Sequence, residues 1–414
     1  MSQTYLTHDI IAKEALMHLK NELLAGQLLY NGYNEEYAKN PNGWEIGNTI
    51  NIKAPIYFRT KSGEAIDVVD IKEQVTTMVV DQRYHVAWRC SSQDLTLNID
   101  AFSQRFVQPA AQALANKIDS DLFGTMYKYI PNQIGTPGTT PKDLLTYTLA
   151  NARLTDEAAP MGSRYCVVDP TSQAYLADYL KGGPQSIATK AIEKANYGPV
   201  AGFDAMYVSN NLPTHTCGTA AGTTLAMDDA GIEEGDTTLT VDNGSNDIAV
   251  AFKAGDIVTV DSVMACNPVT GLSRNYLRQF VVYADVADGG TESALTTIPG
   301  VAPWAIYSES ADEQDLPYQN VYGLPADDDT VVCAGSASLV HKVNLAFHKN
   351  CFGFVMVPLA MPIDGSKASQ VTEDGFSLRI ASFWDGKSDT NYMRLDALWG
   401  RAVLNPFLGC RIAA

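Results

Sequence analysis

The distribution of charge constrains the fold of this 414-residue chain more than any single motif does. Between Thr219 and Ala337 there are 19 acidic and three basic residues, a net charge of −16. The rest of the chain has 28 acidic and 26 basic residues and is nearly neutral. Because concentrated like charge is tolerated only where water and salt screen it, we expect this segment to project from the rest of the protein.

The acidic segment also differs from the flanking sequence in its pattern of residues. It consists of short β-prone runs separated by Gly, Asn and Asp, which is typical of a small barrel or sandwich. Mixed helical and strand patterns stand on both sides of it, so we expect an all-β domain inserted into an α+β body. Hydrophobic residues make up 46% of the chain, enough for a substantial core.

The N-terminal part predicts long, projecting elements. Residues 7–24 have the apolar spacing of an amphipathic helix, and a polar stretch rich in Asn and Gly follows it. Alternation over residues 48–58 and again over 75–88, with a Gly-containing turn between, predicts a long β-hairpin. Such a hairpin is marginal alone in water, so we expect it to lean on another surface.

Further helices are predicted downstream. The clearest begins near Asp100, as a plausible N-cap, and continues toward Ile130, about 45 Å, with a kink or break at Pro109. Helices over 144–154 and 171–180 flank a strand at 164–169, and helical spacing returns at 336–350 before a series of closing strands.

Whole classes of protein are disfavoured by what the sequence lacks. No apolar run is long enough to span a membrane, and the N-terminus does not have the pattern of a signal peptide. The seven cysteines are scattered without a CxxC pair, which favours buried free thiols in a reducing cytosol. A net charge of −18 argues against a basic surface that follows nucleic-acid phosphates.

Five stretches together carry a resemblance to a known family. They are EEYAKNPNGWEIGNTINIKAPIYF, LTLNIDAFSQRFVQPAAQALANKIDSDL, VAGFDAMYVSNNLPTHTCG, NLAFHKNCFGFVMVPLAMP and SDTNYMRLDALWGRAVLNPFLGCRI. In their order and spacing they resemble the coat proteins of P22-like phages, over nearly the whole chain outside 219–337. The resemblance implies an α+β, HK97-type capsid fold with an N-arm, an extended β-hairpin loop, a long spine helix, peripheral and axial regions, and an inserted all-β, barrel-like domain.

Mapped onto this chain, the resemblance implies six regions. They are an N-terminal arm (1–45), an extended loop (46–98), a spine helix and peripheral region (99–135), an axial and peripheral body (136–217), the acidic inserted β-domain (218–338), and the closing strands of the body (339–414).

The function implied by the resemblance is that of a major capsid protein of a tailed double-stranded DNA phage, a structural protein and not an enzyme. Pentamers and hexamers of the chain would form the icosahedral head shell, assembled in the host bacterial cytoplasm. Scaffolding and portal proteins are the implied partners, with non-specific proximity to packaged DNA and no membrane contact. Alternatives are an encapsulin-type compartment, a carbohydrate-binding or adhesin protein, and, last, an enzyme.

No catalytic, cofactor or metal site is predicted, although several patterns were weighed for one. His341 and His348, seven residues apart on the predicted helix, lie near Cys351 but lack a third ligand at the usual spacing. The acidic runs 242–247 and 327–329 suit turns better than calcium loops. The run 333–338 lacks the second Gly of a nucleophile elbow and suits a helix cap. Isopeptide chemistry at Lys53, Lys61 or Lys72 is disfavoured, since P22-like coats are not expected to use it.

Overall fold

The protein is described here from a computed structural model. The residues that it describes are 8–33, 49–53, 56–60, 68, 70, 75–91, 103–180, 199–227, 232–242, 251–286, 292–295, 305–362 and 367–414. The chain divides into two compact units. The first comprises residues 1–51, 77–122 and 352–402, and the second comprises 52–76, 123–351 and 403–414.

The α-helices among the described residues are α1, His8–Glu22; α2, Ala25–Leu28; α3, Gln108–Met126; α4, Leu144–Asp156; and α5, Pro170–Leu180. Three of them confirm the helices predicted over 7–24, 144–154 and 171–180. The predicted spine helix is shorter than expected, because α3 ends at Met126 and a π-helical turn, Ser103–Val107, precedes it. Pro109 is the second residue of α3, which follows the π-helical turn directly, so the regular α-helix is interrupted at this proline, as predicted. Asp100 lies outside the described residues.

The strands are β1, Thr49–Lys53; β2, Val75–Ser91; β3, Gln133–Ile134; β4, Arg164–Val168; β5, Ala205–Val208; β6, Thr214–Thr216; β7, Thr224–Met227; β8, Leu239–Asp242; β9, Ile257–Cys266; β10, Ser273–Val281; β11, Glu292–Leu295; β12, Val321–Tyr322; β13, Thr330–Cys333; β14, Val340–His348; β15, Phe352–Met356; β16, Lys367–Glu373; β17, Phe376–Asp385; β18, Thr390–Val403; and β19, Gly409–Ala413. Short 3-10 turns occur at Leu316–Tyr318, Lys349–Cys351 and Pro406–Leu408. The fold class is therefore α+β, as predicted.

The first of three sheets, called the hairpin sheet here, has the order β1-β2-β18-β17-β16, with β15 also paired to β18. The predicted pairing of β1 with β2 is confirmed, but β1 ends at Lys53 and is shorter than the strand predicted over 48–58. β2 pairs with β18 along almost its whole length, and Asp81 is skipped in the register as a bulge opposite Gly400. The inner end of β2 buries Met78 and Val80. In the first unit, α1 packs on β16 and β17 through a buried stripe that includes Leu16 and Leu19.

The second sheet, the central sheet, belongs to the second unit and has the order β3-β19-β14-β4-β5. The central strand β14 pairs antiparallel with β19 on one side and with β4 and β6 on the other. The helix predicted over 336–350 is therefore wrong, because most of this stretch is the strand β14. From Val343 to His348 every residue of β14 is buried, since neighbours cover both faces of the strand.

The third sheet, the inserted sheet, is built entirely from the strands β7 to β13. Its order is β10-β9-β13-β7-β8-β11, with β12 paired to β9, and its pairings are antiparallel. It has a hydrophobic core of its own, which includes Phe252, Val258, Val260, Val263 and Val331. In the described part of the acidic segment the regular structure is thus β-strand, as predicted, apart from the short 3-10 turn Leu316–Tyr318.

Candidate functional sites: the junction and the aromatic end

The inserted sheet is joined to the central sheet by one two-stranded ribbon. β6 is the last strand before the inserted sheet and β14 is the first after it, and the two pair antiparallel with His215 opposite His341. The backbone N–H of Cys217 donates to the carbonyl of Leu339 at 2.9 Å, which continues the ribbon by one step. The acidic segment therefore leaves the central sheet and returns to it at the same place, which is the geometry of an insertion.

A buried polar cluster lies at this ribbon, and we call it the junction cluster: His215, Cys217, Asp256, His341 and Arg411. His215 Nε2 lies 2.9 Å from Asp256 Oδ1, and the two side chains are 5% and 0% exposed. Cys217 Sγ lies 3.8 Å from His341 Nδ1. Arg411, on β19, donates from Nη1 to the carbonyl of Gly255 at 2.6 Å. The cluster thus joins side chains of the central sheet to the turn that precedes β9.

Asp256 holds this turn together. Its carboxylate accepts hydrogen bonds from the backbone N–H groups of Gly218, at 3.1 Å, and Lys253, at 2.7 Å. Its backbone N–H and carbonyl are bonded to Lys253 and Val282 respectively. These bonds tie the Asp256 side chain both to the chain that follows β6 and to the turn before β9.

Burial changes the titration of the cluster. Burial first, and then the neighbouring His215, lower the pKa of His341 to about 4, so His341 is neutral near pH 7. Burial raises the pKa of the Cys217 thiol to about 11, and lowers the pKa of Arg411 to about 10. Arg411 is 1% exposed, and its Nε and Nη2 atoms have no hydrogen-bond partner among the described residues.

Gly255 permits the close approach in this cluster. Its φ is +105°, a left-handed conformation that side-chain-bearing residues rarely adopt. A Cβ atom there would lie 2.7 Å from Tyr127 Cε2 and 3.2 Å from His215 Nδ1. The ring of Tyr127 in turn packs edge-on against His215, with ring centroids 5.6 Å apart.

The only two arginines of the acidic segment both form ion pairs with acidic residues at the end of α4. Arg278 Nη1 lies 2.6 Å from Glu157 Oε1, with both side chains almost completely buried. Arg274 Nη1 lies 3.1 Å from Asp156 Oδ1 in a more exposed pair. Two of the three positive charges of this acidic segment are therefore used to attach it, whereas Lys253 pairs with Asp285 inside the segment.

Aromatic and amide contacts extend the same attachment. The guanidinium of Arg153 stacks 3.5 Å from the ring centroid of Tyr276. Gln279 and Gln133 exchange two hydrogen bonds, of 2.7 and 3.0 Å, through the side chain of Gln279 and the backbone of Gln133. Residues 274, 276 and 278 alternate along β10 and share one face, and Gln279, at an irregularity in the pairing with β9, adds its contact at the end of the series.

A second candidate site is the outer end of the hairpin sheet, which we call the aromatic end. Phe383 stacks on Tyr392 with ring centroids 5.0 Å apart and an interplanar angle of 11°. Phe383 is nevertheless 54% exposed, and its neighbour Trp384 is 62% exposed. Two adjacent aromatic side chains left in water on a regular sheet are typical of a surface that binds another protein.

The structure separates the residues weighed as a metal site in the sequence. His341 and His348 lie on a strand and not on a helix, so a spacing of seven places them on opposite faces. His348 Nδ1 accepts the backbone N–H of Asn350 at 3.1 Å, and Cys351 is buried in the following 3-10 turn. The run 333–338, expected to cap a helix, leads into β14 instead.

The structure describes part of the two acidic runs and one of the three lysines considered in the sequence. Asp329 accepts the backbone N–H of Ala326 at 2.7 Å, so the run 327–329 forms a turn, as expected. Of the run 242–247, only Asp242 is among the described residues. Lys61 and Lys72 also lie outside the described residues, whereas Lys53 is the last residue of β1.

Sequence reasoning missed the junction cluster. Its members come from positions 215 to 411, and of these only His341 was considered from the sequence, with the wrong partners; the His-x-Cys spacing of His215 and Cys217 was a further signal. In the part of the chain that is described, His215, Cys217 and Asp256 are the one group of three or more potential metal ligands within reach of one another.

Two expectations from composition can also be compared with the structure. Six of the cysteines, 166, 217, 266, 333, 351 and 410, are free and buried, which confirms the prediction for them. Among the described helices there is none with the length and apolarity required to cross a membrane.

Comparison with known proteins identifies the family. The family model of the P22 coat protein (gene protein 5) matches residues 33–413. A curated relative, the "Major capsid protein" of Acyrthosiphon pisum secondary endosymbiont phage 1, is 22% identical over 381 residues, which is 88% of each chain. Solved structures with similar folds include one from Mycobacterium phage Che8 (13% identity, 94% of this chain and 90% of that chain, TM-score 0.47). Another is the capsid structure of the cyanophage P-SCSP1u (12% identity, 89% and 84% covered, TM-score 0.42).

The family match assigns the chain to a class of structural proteins that assemble with copies of themselves. The chain belongs to the P22 coat protein family, because the family model covers nearly all of it. It is a phage major capsid protein, a virion component that assembles with copies of itself, and not an enzyme. The family match supports this interpretation over the encapsulin alternative.

Proposed function

We propose that the chain forms the pentamers and hexamers of an icosahedral head shell, and that the aromatic end is one of the surfaces through which copies bind each other. The observation that carries the second part is the exposure of Phe383 and Trp384 on an otherwise well-packed sheet. Burying two such rings against a neighbour would contribute several kcal/mol, at about 1.5–3 kcal/mol for a large apolar side chain.

The sheet around the aromatic end is suited to this role. At its inner end β17 buries Phe376, Leu378 and Ile380, which fixes the strand in the first unit. Toward the outer end of β17 the residues are less buried, and the rings of Phe383 and Trp384 are exposed to solvent. A rigid strand thus presents the aromatic side chains, so that little conformational entropy is lost when a partner covers them.

A double substitution, Phe383→Ser with Trp384→Ser, tests this surface. The soluble subunit should keep the unfolding midpoint of the unchanged protein within a few degrees, whereas its yield of closed shells should fall at least tenfold. Tyr179→Ser is the matched control, because Tyr179 is an aromatic residue of α5 with a similar exposure, 53%. Normal shells from the double variant would overturn the role of the aromatic end.

We further propose the six-region division of the chain given by the resemblance, with 218–338 as the inserted domain. The ribbon between β6 and β14 and the separate core of the inserted sheet support the two boundaries of that domain. Its charge supports a position facing solvent on the shell.

The remaining parts of the proposal concern partners and place. Coat proteins that close into shells of defined size need a co-assembling scaffold and a portal at one vertex, as the resemblance implies, and assembly would occur in the host bacterial cytoplasm. The net charge of −18 supports only non-specific proximity to packaged DNA. Co-expression with a candidate scaffolding protein, followed by electron microscopy of the particles, tests this part separately from the aromatic end.

A further inference from the structure

We propose that the junction cluster is a structural site for a transition-metal ion of the zinc class, with His215, Cys217 and Asp256 as ligands and His341, beside Cys217, as the residue that would complete the set. These residues offer two imidazole nitrogens, one sulfur and one carboxylate, which is a donor set that zinc accepts in four-coordinate sites. The proposal concerns the attachment of the inserted sheet and goes beyond the role of the chain in the shell.

The distances among His215, Cys217 and Asp256 suit a single small ion, and His341 would move toward that ion to complete the set. One ligand atom from each of His215, Cys217 and Asp256 lies within 4.8 Å of the others. Cys217 Sγ and His341 Nδ1 are 3.8 Å apart, and a tetrahedral zinc ion holds sulfur and nitrogen ligands about 3.6 Å apart. His215 Nε2 and Asp256 Oδ1, at 2.9 Å, are at hydrogen-bonding distance and would separate by about 0.5 Å to bind the same ion.

The fold brings these ligands to one place from two sides. His215 and His341 are register partners on the ribbon, with ring centroids 5.4 Å apart, and Cys217 follows two residues after His215. Asp256 comes from the opposite side, on the turn before β9. All four ligand residues are buried, so the site is closed to solvent, as structural metal sites are.

Arg411 is an independent observation that points to an anionic ligand here. It is 1% exposed, and two of its guanidinium nitrogens have no hydrogen-bond partner among the described residues. Its charge acts on Cys217 and on Asp256. When the metal binds, the Cys217 thiol gives up its proton to solvent, and the resulting thiolate becomes an acceptor for these N–H groups. Such outer contacts commonly orient metal ligands.

A bound ion would fasten the inserted sheet at its point of attachment. His215 and His341 lie on the ribbon and Cys217 directly follows it, whereas Asp256 lies on the turn before β9, in the inserted sheet. The metal would therefore stabilise the folded chain by its binding free energy, because the unfolded chain does not hold the four groups together.

The test uses the full chain, unfolded with a chelator and refolded with either Zn²⁺ or Co²⁺ as the probe. We expect one metal per chain by elemental analysis after desalting. With Co²⁺ we expect a sulfur-to-metal charge-transfer band in the near-ultraviolet, and with Zn²⁺ a rise of several degrees in the unfolding midpoint that excess chelator reverses. A chain that retains no metal, gives no band and shows no thermal shift would overturn the proposal.

Substitutions then assign the ligands. Cys217→Ser should abolish the band, and His341→Gln should weaken metal retention at least tenfold. Cys351→Ser and His348→Gln are matched controls, since both residues are buried but lie outside the cluster, and neither should change metal binding. If the controls abolish the band while Cys217→Ser preserves it, the proposed site is wrong. Because the unchanged chain is itself titrated, a variant that fails to fold does not remove the test.

Discussion

Arg278 and Glu157 form an ion pair that is almost entirely withdrawn from water. The Nη1–Oε1 distance is 2.6 Å, and the side chains are 3% and 5% exposed. The guanidinium of Arg278 also lies 4.4 Å from the ring centroid of Phe407. An acidic segment is thus held to the rest of the second unit by one of its very few positive charges, placed where the pair is least screened by solvent.

Removing one partner of this pair should be costly. Arg278→Ala leaves the Glu157 carboxylate buried without its counter-charge, and we expect the free energy of unfolding to fall by about 3–5 kcal/mol. Arg274→Ala is the matched control, because its pair with Asp156 has both side chains 32% exposed and should contribute about 0–1 kcal/mol. Urea unfolding followed by circular dichroism measures both. Equal losses in the two variants would contradict the role of Arg278.

The backbone of Gly255 gives a second prediction. Gly255→Ala should destabilise the protein by about 2–4 kcal/mol, because a strained left-handed backbone is combined with a clash against Tyr127. Gly162→Ala separates the two causes, since φ at Gly162 is +92° but a Cβ there would have no atom within 4 Å. We expect about 1 kcal/mol for this control in the same urea experiment. A larger loss for Gly162→Ala than for Gly255→Ala would contradict the close packing at the junction.

Asp119 makes the stability of the first unit depend on pH. This residue of α3 is 2% exposed, and its carboxylate accepts the backbone N–H groups of Leu24, at 3.0 Å, and Ala25, at 2.8 Å. Burial raises the pKa of Asp119 from 3.8 to about 7, although the two hydrogen bonds act in the opposite direction. The folded state therefore binds the proton more tightly than the unfolded state does.

The sign of the effect follows from this difference. The contribution of Asp119 to stability is fully present below about pH 4 and is lost as the pH rises through about 7, by at most about 4 kcal/mol. Asp119→Asn should flatten the dependence of the unfolding free energy on pH in this range, whereas Asp81→Asn, at an exposed position of β2, should not. If the unfolding free energy of Asp119→Asn depends on pH as steeply as that of the unchanged protein, another group controls this dependence.

The sequence was sufficient to predict elements whose two faces differ in exposure. The helix α1 packs one face on the hairpin sheet, and the long strand β2 alternates between more and less exposed residues, so both had clear periodicity. The strand β14 has no clear periodicity, because it lies in the middle of the central sheet and both of its faces are buried. A continuous apolar run of this kind also fits helical spacing, which is why Val340–His348 was predicted as a helix.

The sites were harder to predict than the fold, for a different physical reason. The junction cluster depends on long-range pairing: His215 meets His341 only because β6 pairs with β14, and Arg411 arrives on β19. Charge patterning did indicate that 219–337 stands apart, but not that Arg274 and Arg278 attach it. The exposure of Phe383 and Trp384 was also invisible, because their strand reads as an ordinary half-buried one.

The central claim, that many copies of this chain close into a shell, is tested most directly by negative-stain electron microscopy with light scattering. The chain would be expressed in bacteria with and without a candidate scaffolding protein, and the particles measured after purification. We predict closed particles tens of nanometres across in the presence of the scaffold, with open or irregular assemblies or free subunits in its absence. A folded, stable monomer that forms no shell under any of these conditions would contradict the account.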